Sequence, residues 1–376
     1  MDFTISVQAF QSVVKKMGYI LRASEDGVTS MILIEASDDK IKFSGTDKDV
    51  HMVIYSRDCV VSEKGKCLLQ LREISSYVQK FLPLSNGFGT ENFRVTTNEK
   101  EGVIKTKTVF PSGKPAYRSL TFKLFETSLL QPVKDFQEAQ LIINSDIILE
   151  GLNKILHCVD PSEIRRALSG LYVSIDGDKI VFAGTNGVKL SETELPITAD
   201  ISQSAHILKH SMALAMKMIL DSNAQVFIRF EDRSIYIRCN DIYLTGGLIL
   251  NETYPDYKAT LKNYSNVISM PRYDLIDTIS AANSVLDKED NNRLTMKFKD
   301  NQLILKNDKL EAIHEFDYTF EHTLDVDVNG AFLLQMLLDF VGSDLEICFN
   351  DGLKSVIFRI KDNPSHTSLL MPLRRR

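Results

Sequence analysis

Three stretches of the chain open alike, with a short apolar strand running into an amphipathic helix. They start at Phe3, Leu141 and Val267 and reach Met17, Leu156 and Asn283, so consecutive starts lie 138 and 126 residues apart, a period of domain size. In the second stretch Ile147, Ile148, Leu152, Ile155 and Leu156 fall at helical spacing after Ser145 or Asp146, residue types that cap helix N-termini. In the third, Tyr273, Leu275, Ile276 and Ile279 repeat the pattern, with Pro271 near the helix start.

The echo continues downstream. Lys40-Ile41-Lys42-Phe43-Ser44-Gly45-Thr46-Asp47 returns as Lys179-Ile180-Val181-Phe182-Ala183-Gly184-Thr185-Asn186, an alternating strand entering a Gly-Thr-Asx turn. The third unit keeps the strand alone, Asn301 to Lys306. A second helix is predicted in every unit: Leu68 to Leu82 before Pro83, Ile207 to Leu220, and Ala331 to Val341 before Gly342. Alternating strands follow, such as Gln225 to Phe230 and Ser234 to Arg238 around the turn Glu231-Asp232-Arg233, and Leu345 to Phe349 with Ser355 to Ile360. The predicted class is therefore α+β, three similar domains of antiparallel sheets with two helices each. Their boundaries are expected at 1–126, 127–255 and 256–376, since Glu126 to Gln140 and Asn251 to Ser265 are turn-rich and polar.

Composition narrows the function. Apolar residues make up 44% of the 376 and charged residues 25%, the profile of a globular protein rather than a disordered one. No apolar run approaches the ~18 residues of a membrane span, and Met1 to Ser6 shows no basic-then-apolar leader, so a cytoplasmic location without membrane association is expected. Five dispersed cysteines, Cys59, Cys67, Cys158, Cys239 and Cys348, form no C-x-x-C pair and read as buried or half-buried thiols. The net charge of −6 repels nucleic acid overall, so any DNA contact requires a localised basic surface.

The chain lacks a phosphate-binding P-loop, a dinucleotide glycine fingerprint, H-E-x-x-H and G-x-S-x-G, which removes the sequence warrant for the common nucleotide-dependent enzymes and hydrolases. His206 and His210 stand four apart near the predicted start of a helix, a spacing that can serve a metal, but no third ligand accompanies them and two solvated histidines are the preferred reading. Asp325-Val326-Asp327-Val328-Asn329-Gly330 matches the opening of a calcium loop, yet Met336 stands where the bidentate acid belongs, so a strand entering a helix is preferred. No catalytic residue, metal or cofactor is expected.

Basic residues recur on or beside equivalent helices: Lys15 and Lys16, then Lys154, Arg165, Arg166, Lys209 and Lys217, then Arg272. In an acidic protein that recurrence points to a shared positive surface, against the alternative of an ordinary solvated face. The apolar end Leu369-Leu370-Met371-Pro372-Leu373 before Arg374 predicts a last strand packed on the body or one edge of a groove.

The three-fold repeat, Gly184-Thr185-Asn186-Gly187-Val188-Lys189-Leu190, Tyr254-Pro255-Asp256-Tyr257 and Met371-Pro372-Leu373-Arg374, in that order across essentially the whole chain, resemble the bacterial-type DNA polymerase III β subunit family of sliding clamps. The resemblance implies three similar domains per chain and a head-to-tail homodimer closed into a ring, with helices lining a channel around duplex DNA. It implies sequence-independent DNA contact, no catalysis, and the tethering of a replicative DNA polymerase and other clamp-binding proteins after opening by a separate ATP-driven clamp loader. A topologically held duplex needs only modest phosphate contacts, which explains how an acidic protein could serve. Lys15, Lys16, Lys154, Arg165, Arg166, Lys209, Lys217 and Arg272 are the expected DNA-facing cations.

The resemblance also implies a pocket for a short apolar partner peptide. Its matching positions are Leu168, Thr185, Gly187, Val188, Lys189, Leu190, Pro255, Phe332, Leu353, Ser355, Leu369, Leu370, Met371, Pro372, Leu373 and Arg374. Departures from the family pattern stand beside these matches. Val188-Lys189 replaces a basic pair and Ala259 a basic residue, and the tail is extended by Arg375 and Arg376. The segment Ser30-Met31-Ile32-Leu33 lacks a usual proline, and no Lys or Arg stands between Ala331 and Val341. Such departures fit a phage-encoded or otherwise diverged replicon as well as a bacterial chromosome. The rival expectation is a clamp-like interaction scaffold that does not encircle DNA.

Overall fold

The computed structural model describes residues 1–22, 27–80, 92–109, 115–130, 138–198, 204–284 and 286–374. Every strand pairing among them is antiparallel, and seven α-helices accompany the sheets: α1 Val7–Met17, α2 Leu71–Lys80, α3 Ser145–Ile155, α4 His210–Ile219, α5 Lys258–Lys262, α6 Arg272–Asn283 and α7 Gly330–Leu338. The α+β expectation holds. The short α5 is an addition, lying in a stretch read as linker.

Local chemistry explains the strand-to-helix openings. Strand Asp2–Ser6 ends where the Ser6 hydroxyl accepts the Ala9 N–H at 3.1 Å, satisfying one of the free donors of α1. Phe10, Val13, Val14 and Met17 then fall on one face and are buried, and Lys15 and Lys16 occupy the last turn, where cations favour the helix dipole. Strand Leu141–Asn144 likewise runs into α3 and strand Asn266–Pro271 into α6, which follows Pro271 without a side-chain cap.

Two of the expected second helices begin later than their sequence suggests. Leu68 and Leu69 belong to strand Gly65–Gln70, where Leu68 lies opposite Leu33. Ile207 and Leu208 belong to strand Ser204–Lys209, paired with Tyr172 and Leu171. A short apolar run has no period of its own to separate strand from helix, and here sheet pairing decides it. Leu82 and Pro83, part of the linker after Glu126, and Arg375 and Arg376 lie outside the described residues.

The chain packs as two compact units, Met1–Asp146 with Ser211–Leu248, and Ile147–His210 with Ile249–Arg376. The first contains a five-stranded sheet around Asp2–Ser6 and an eight-stranded sheet in which Ile242–Gly247, from the second repeat, pairs with Val50–Ser56 from the first. Phe10 of α1 packs edge-on to Phe93 and tilted to Phe43, with centroids 5.7 and 6.0 Å apart, and these rings centre its core.

The second unit also contains an eight-stranded sheet, in which Lys189–Pro196 of the second repeat pairs with Asn363–Leu370 of the third. A four-stranded sheet, Glu311–Glu315, Gln302–Lys306, Arg293–Lys299 and Leu324–Asn329, completes it. Leu275 and Ile279 of α6, Leu333 and Met336 of α7, and Met296, Phe298 and Phe358 belong to one core of this unit. In each unit, then, one sheet is continuous across two sequence repeats.

Four cysteines are buried and Cys59 is half-buried; all five are free thiols, as expected. No helix of the described residues is long and apolar enough to cross a membrane.

Candidate functional site

The site is built around the turn between strands Lys179–Thr185 and Lys189–Pro196. The Thr185 hydroxyl donates to the Lys189 carbonyl at 2.8 Å and accepts the Gly187 N–H at 3.0 Å. The Asn186 side-chain oxygen accepts the N–H groups of Val188 and Lys189, each at 3.0 Å. Such Asx and hydroxyl bonds replace the ladder where the chain reverses. Gly187 has φ +83°, a left-handed conformation in which a side chain is strained.

The C-terminal tail docks on this turn. Leu369 and Leu370 lie opposite Leu190 and Lys189, and beyond the strand the Met371 N–H donates to the Val188 carbonyl at 2.8 Å. The predicted last strand packed on the body is thus observed, with Met371, Pro372, Leu373 and Arg374 continuing past it. On the face of the sheet toward α7, Lys189 is buried, with its ammonium 4.3 Å from the centroid of the half-buried Phe332 ring. Burial lowers the Lys189 pKa, and the negative ring face offsets part of that cost.

Hydrogen bonds and ring contacts therefore join Thr185, Gly187, Val188, Lys189, Phe332 and the tail. They do not join Leu168, Pro255, Leu353 or Ser355 directly to that group among the described residues. Leu168 is buried in the short 3-10 turn Arg166–Ser169, and Ser355 is half-buried before strand Val356–Ile360. Pro255 is exposed between Tyr254 and Tyr257, whose rings both pack on Tyr172. The Tyr257 hydroxyl donates to the Glu192 carboxylate, and burial together with that carboxylate raises the phenol pKa well above its ordinary range. Val188 (41%), Met371 (39%) and Leu353 (73%) are the large apolar side chains of the set left open to solvent.

Arg165 and Ile164 were not placed here by sequence reasoning. The Arg165 guanidinium donates to the Asn186 carbonyl at 3.3 Å and lies 2.5 Å from where a side chain on Gly187 would start. It is also paired with Glu163 at 2.9 Å. Arg165 therefore braces the turn rather than standing free for phosphate. Ile164 is fully presented to solvent beside it, at 94% exposure. An isolated apolar residue next to an arginine carries no periodic signal.

Two further expected DNA-facing cations do not fit that role. Lys154 is buried and its ammonium lies 2.6 Å from Glu150. Arg272 is buried, donating from Nε to the Gly342 carbonyl at 2.9 Å and from Nη1 to the Leu337 carbonyl at 3.0 Å, so it satisfies the free carbonyls at the end of α7. Lys15 and Arg166 are exposed, and Lys217 and Lys209 are half-buried. Lys16 is paired with Asp221 at 2.9 Å.

The histidine pair is separated by the strand-to-helix junction, with His206 in strand Ser204–Lys209 and His210 the first residue of α4. Burial lowers both pKa values, and the described residues contain no cluster of three metal-ligating side chains. The Asp325-to-Gly330 run is strand Leu324–Asn329 entering α7, as preferred, with Asn329 accepting the Phe332 N–H at 2.9 Å.

Repeated strand-helix units knitted by antiparallel sheets are the architecture of sliding clamps. The solved sliding clamp of Bacillus subtilis superposes with a TM-score of 0.87 at 16% identity, covering 100% of both chains. The Helicobacter pylori beta clamp bound to a DNA ligase peptide gives 0.82 at 16% identity, again over both whole chains. In sequence, the beta sliding clamp of Chlamydia muridarum is 23% identical over 383 residues, covering 100% of this chain and 99% of that one. Residues 142–256 match the DNA polymerase III beta subunit central domain and residues 261–374 its C-terminal domain, together more than half of the chain. The chain belongs to the DNA polymerase III beta subunit family.

Proposed function

We infer that this protein works as a DNA sliding clamp, a processivity factor without catalysis of its own. Membership of the family carries the reading. In the form proposed, two chains close head to tail into a ring around duplex DNA in the cytoplasm, with three domains per chain at 1–126, 127–255 and 256–376. A replicative polymerase, a clamp loader and other clamp-binding proteins are its partners. Lys15, Arg166, Lys209 and Lys217 are the proposed phosphate-facing cations, contributing charge without sequence readout.

The turn-and-tail group is the proposed peptide site. Its support is the hydrogen-bonded junction of Val188 with Met371, flanked by apolar side chains left open to solvent. Such a surface takes a short Leu- or Phe-bearing segment, apolar contacts giving affinity and backbone groups giving orientation. Primer extension on a singly primed circle, with cognate loader and polymerase, tests the function. Products lengthened by this protein and not by a Val188→Asp/Met371→Asp variant support it; equal lengths with both contradict it.

A further inference from the structure

The Asp325-to-Gly330 run, which opens like a calcium loop, has a different use in the fold. Asp327 is buried in its strand, where its carboxylate accepts the Thr295 hydroxyl at 2.7 Å and pairs with Arg293 Nη1 at 2.8 Å. Arg293 and Thr295 stand on the neighbouring strand, opposite Asn329 and Asp327. A second carboxylate, Asp290, lies 3.4 Å from Arg293 Nε. The guanidinium is thereby held by two acids through Nε and Nη1, and its Nη2 donates to the Arg374 carbonyl at 3.1 Å. The Asp327 carbonyl accepts the Leu373 N–H at 2.7 Å.

We propose that Arg293 is a positioning residue of the peptide site, holding the tail Met371–Arg374 as a wall of that site through Asp327. The proposal rests on reading the tail as part of the peptide site. Beyond Met371, whose N–H bonds the Val188 carbonyl, the segment 372–374 has left its strand and is ordered only where other bonds tie it down. The two bonds at Leu373 and Arg374 supply that tie from a single pair of strands. A tail ordered before the partner arrives spares the encounter the entropy of ordering it. The same run ends at Asn329, whose side chain caps α7 at Phe332, so one short segment sets both the tail and the ring facing Lys189. Arginine suits the position because its planar fork presents three separate nitrogens to the two carboxylates and the carbonyl, whereas a lysine ammonium gathers its donors at one point.

Arg293→Lys separates this role from a merely structural one, since it keeps a cation between Asp290 and Asp327. The protein is measured with a short fluorescent peptide bearing Leu and Phe, alongside amide hydrogen exchange over residues 371–374 and the denaturation midpoint. Expected are faster tail exchange, peptide affinity weaker by about three- to tenfold, and a midpoint near that of the wild type. In a chain ending at Leu370, adding Arg293→Lys is expected to cause no further loss of peptide affinity. Wild-type-like tail exchange in Arg293→Lys overturns the proposal, as does peptide affinity within twofold of a wild type that binds. If the wild type itself does not bind the peptide, the peptide-site reading fails and so does this role, while tail exchange still decides whether Arg293 holds the tail. Should Arg293→Lys not fold, Asp327→Asn provides the same comparison, with the same outcomes.

Discussion

His157 Nε2 lies 2.9 Å from Asp339 Oδ2, which ties the turn after α3 to the end of α7 beneath the sheet shared by the second and third repeats. Burial opposes the imidazolium, but the Asp339 carboxylate and the neighbouring Cys158 outweigh it and raise the His157 pKa to about 9. The surrounding groups are Lys154 with Glu150, Lys189, and His366, whose own pKa burial pushes down to about 3.

A folded pKa above the ordinary 6.5 means that the stabilisation is fully present below about pH 6.5 and is lost as pH rises through about 9. The shift corresponds to at most about 3 kcal/mol. Denaturant midpoints at pH 6 and pH 10 are expected to fall more in the wild type than in His157→Gln. Equal falls in both remove this pair as the cause.

The turn at Gly187 has a counterpart in the first repeat, where the Thr46 hydroxyl donates to the Val50 carbonyl at 2.8 Å and Lys48 has φ +82°. Glycine fits that conformation and lysine is strained in it. Gly187→Ala is expected to destabilise by about 1–3 kcal/mol, since it adds strain and meets Arg165. Lys48→Gly is expected to stabilise by about 0.5–1 kcal/mol, the relief of strain exceeding the entropy cost of glycine. Chemical denaturation of the two variants checks both signs.

Arg272 and Lys217 separate stability from DNA contact. Arg272→Ala leaves the carbonyls of Leu337 and Gly342 without their donor and is expected to cost about 2–3 kcal/mol. Its folded fraction should keep normal DNA retention. Lys217→Glu combined with Lys15→Glu should leave the unfolding midpoint nearly unchanged and reduce the amount loaded onto DNA, with the difference from the wild type largest at low salt. A reversal of the two phenotypes contradicts the assignment of these cations.

The strand-helix openings were legible because helical spacing at Phe10, Val13, Val14 and Met17 is a local signal. Pairings such as Val50–Ser56 with Ile242–Gly247, and Lys189–Pro196 with Asn363–Leu370, were not. Alternation predicts a strand without naming its neighbour, and these partners lie far apart in sequence. The tail and the Gly187 turn were legible as a turn and an apolar end; the resemblance supplied their proposed role. Arg272 and Lys154 are buried and paired in the fold, which their sequence does not show. A charge on a helix looks alike whether it faces water or satisfies a buried carbonyl or carboxylate. The contact of Arg293 with the tail spans 81 residues, and that of Asp327 is likewise distant in sequence, so neither carries a local signal.

Retention on DNA tests the central claim most directly. The protein is loaded by its cognate loader onto nicked circular DNA, loader activity being verified separately, and the same DNA is then linearised at moderate salt. Retention on the circle with loss from the linear form is the predicted result. Equal retention on both forms contradicts topological encirclement.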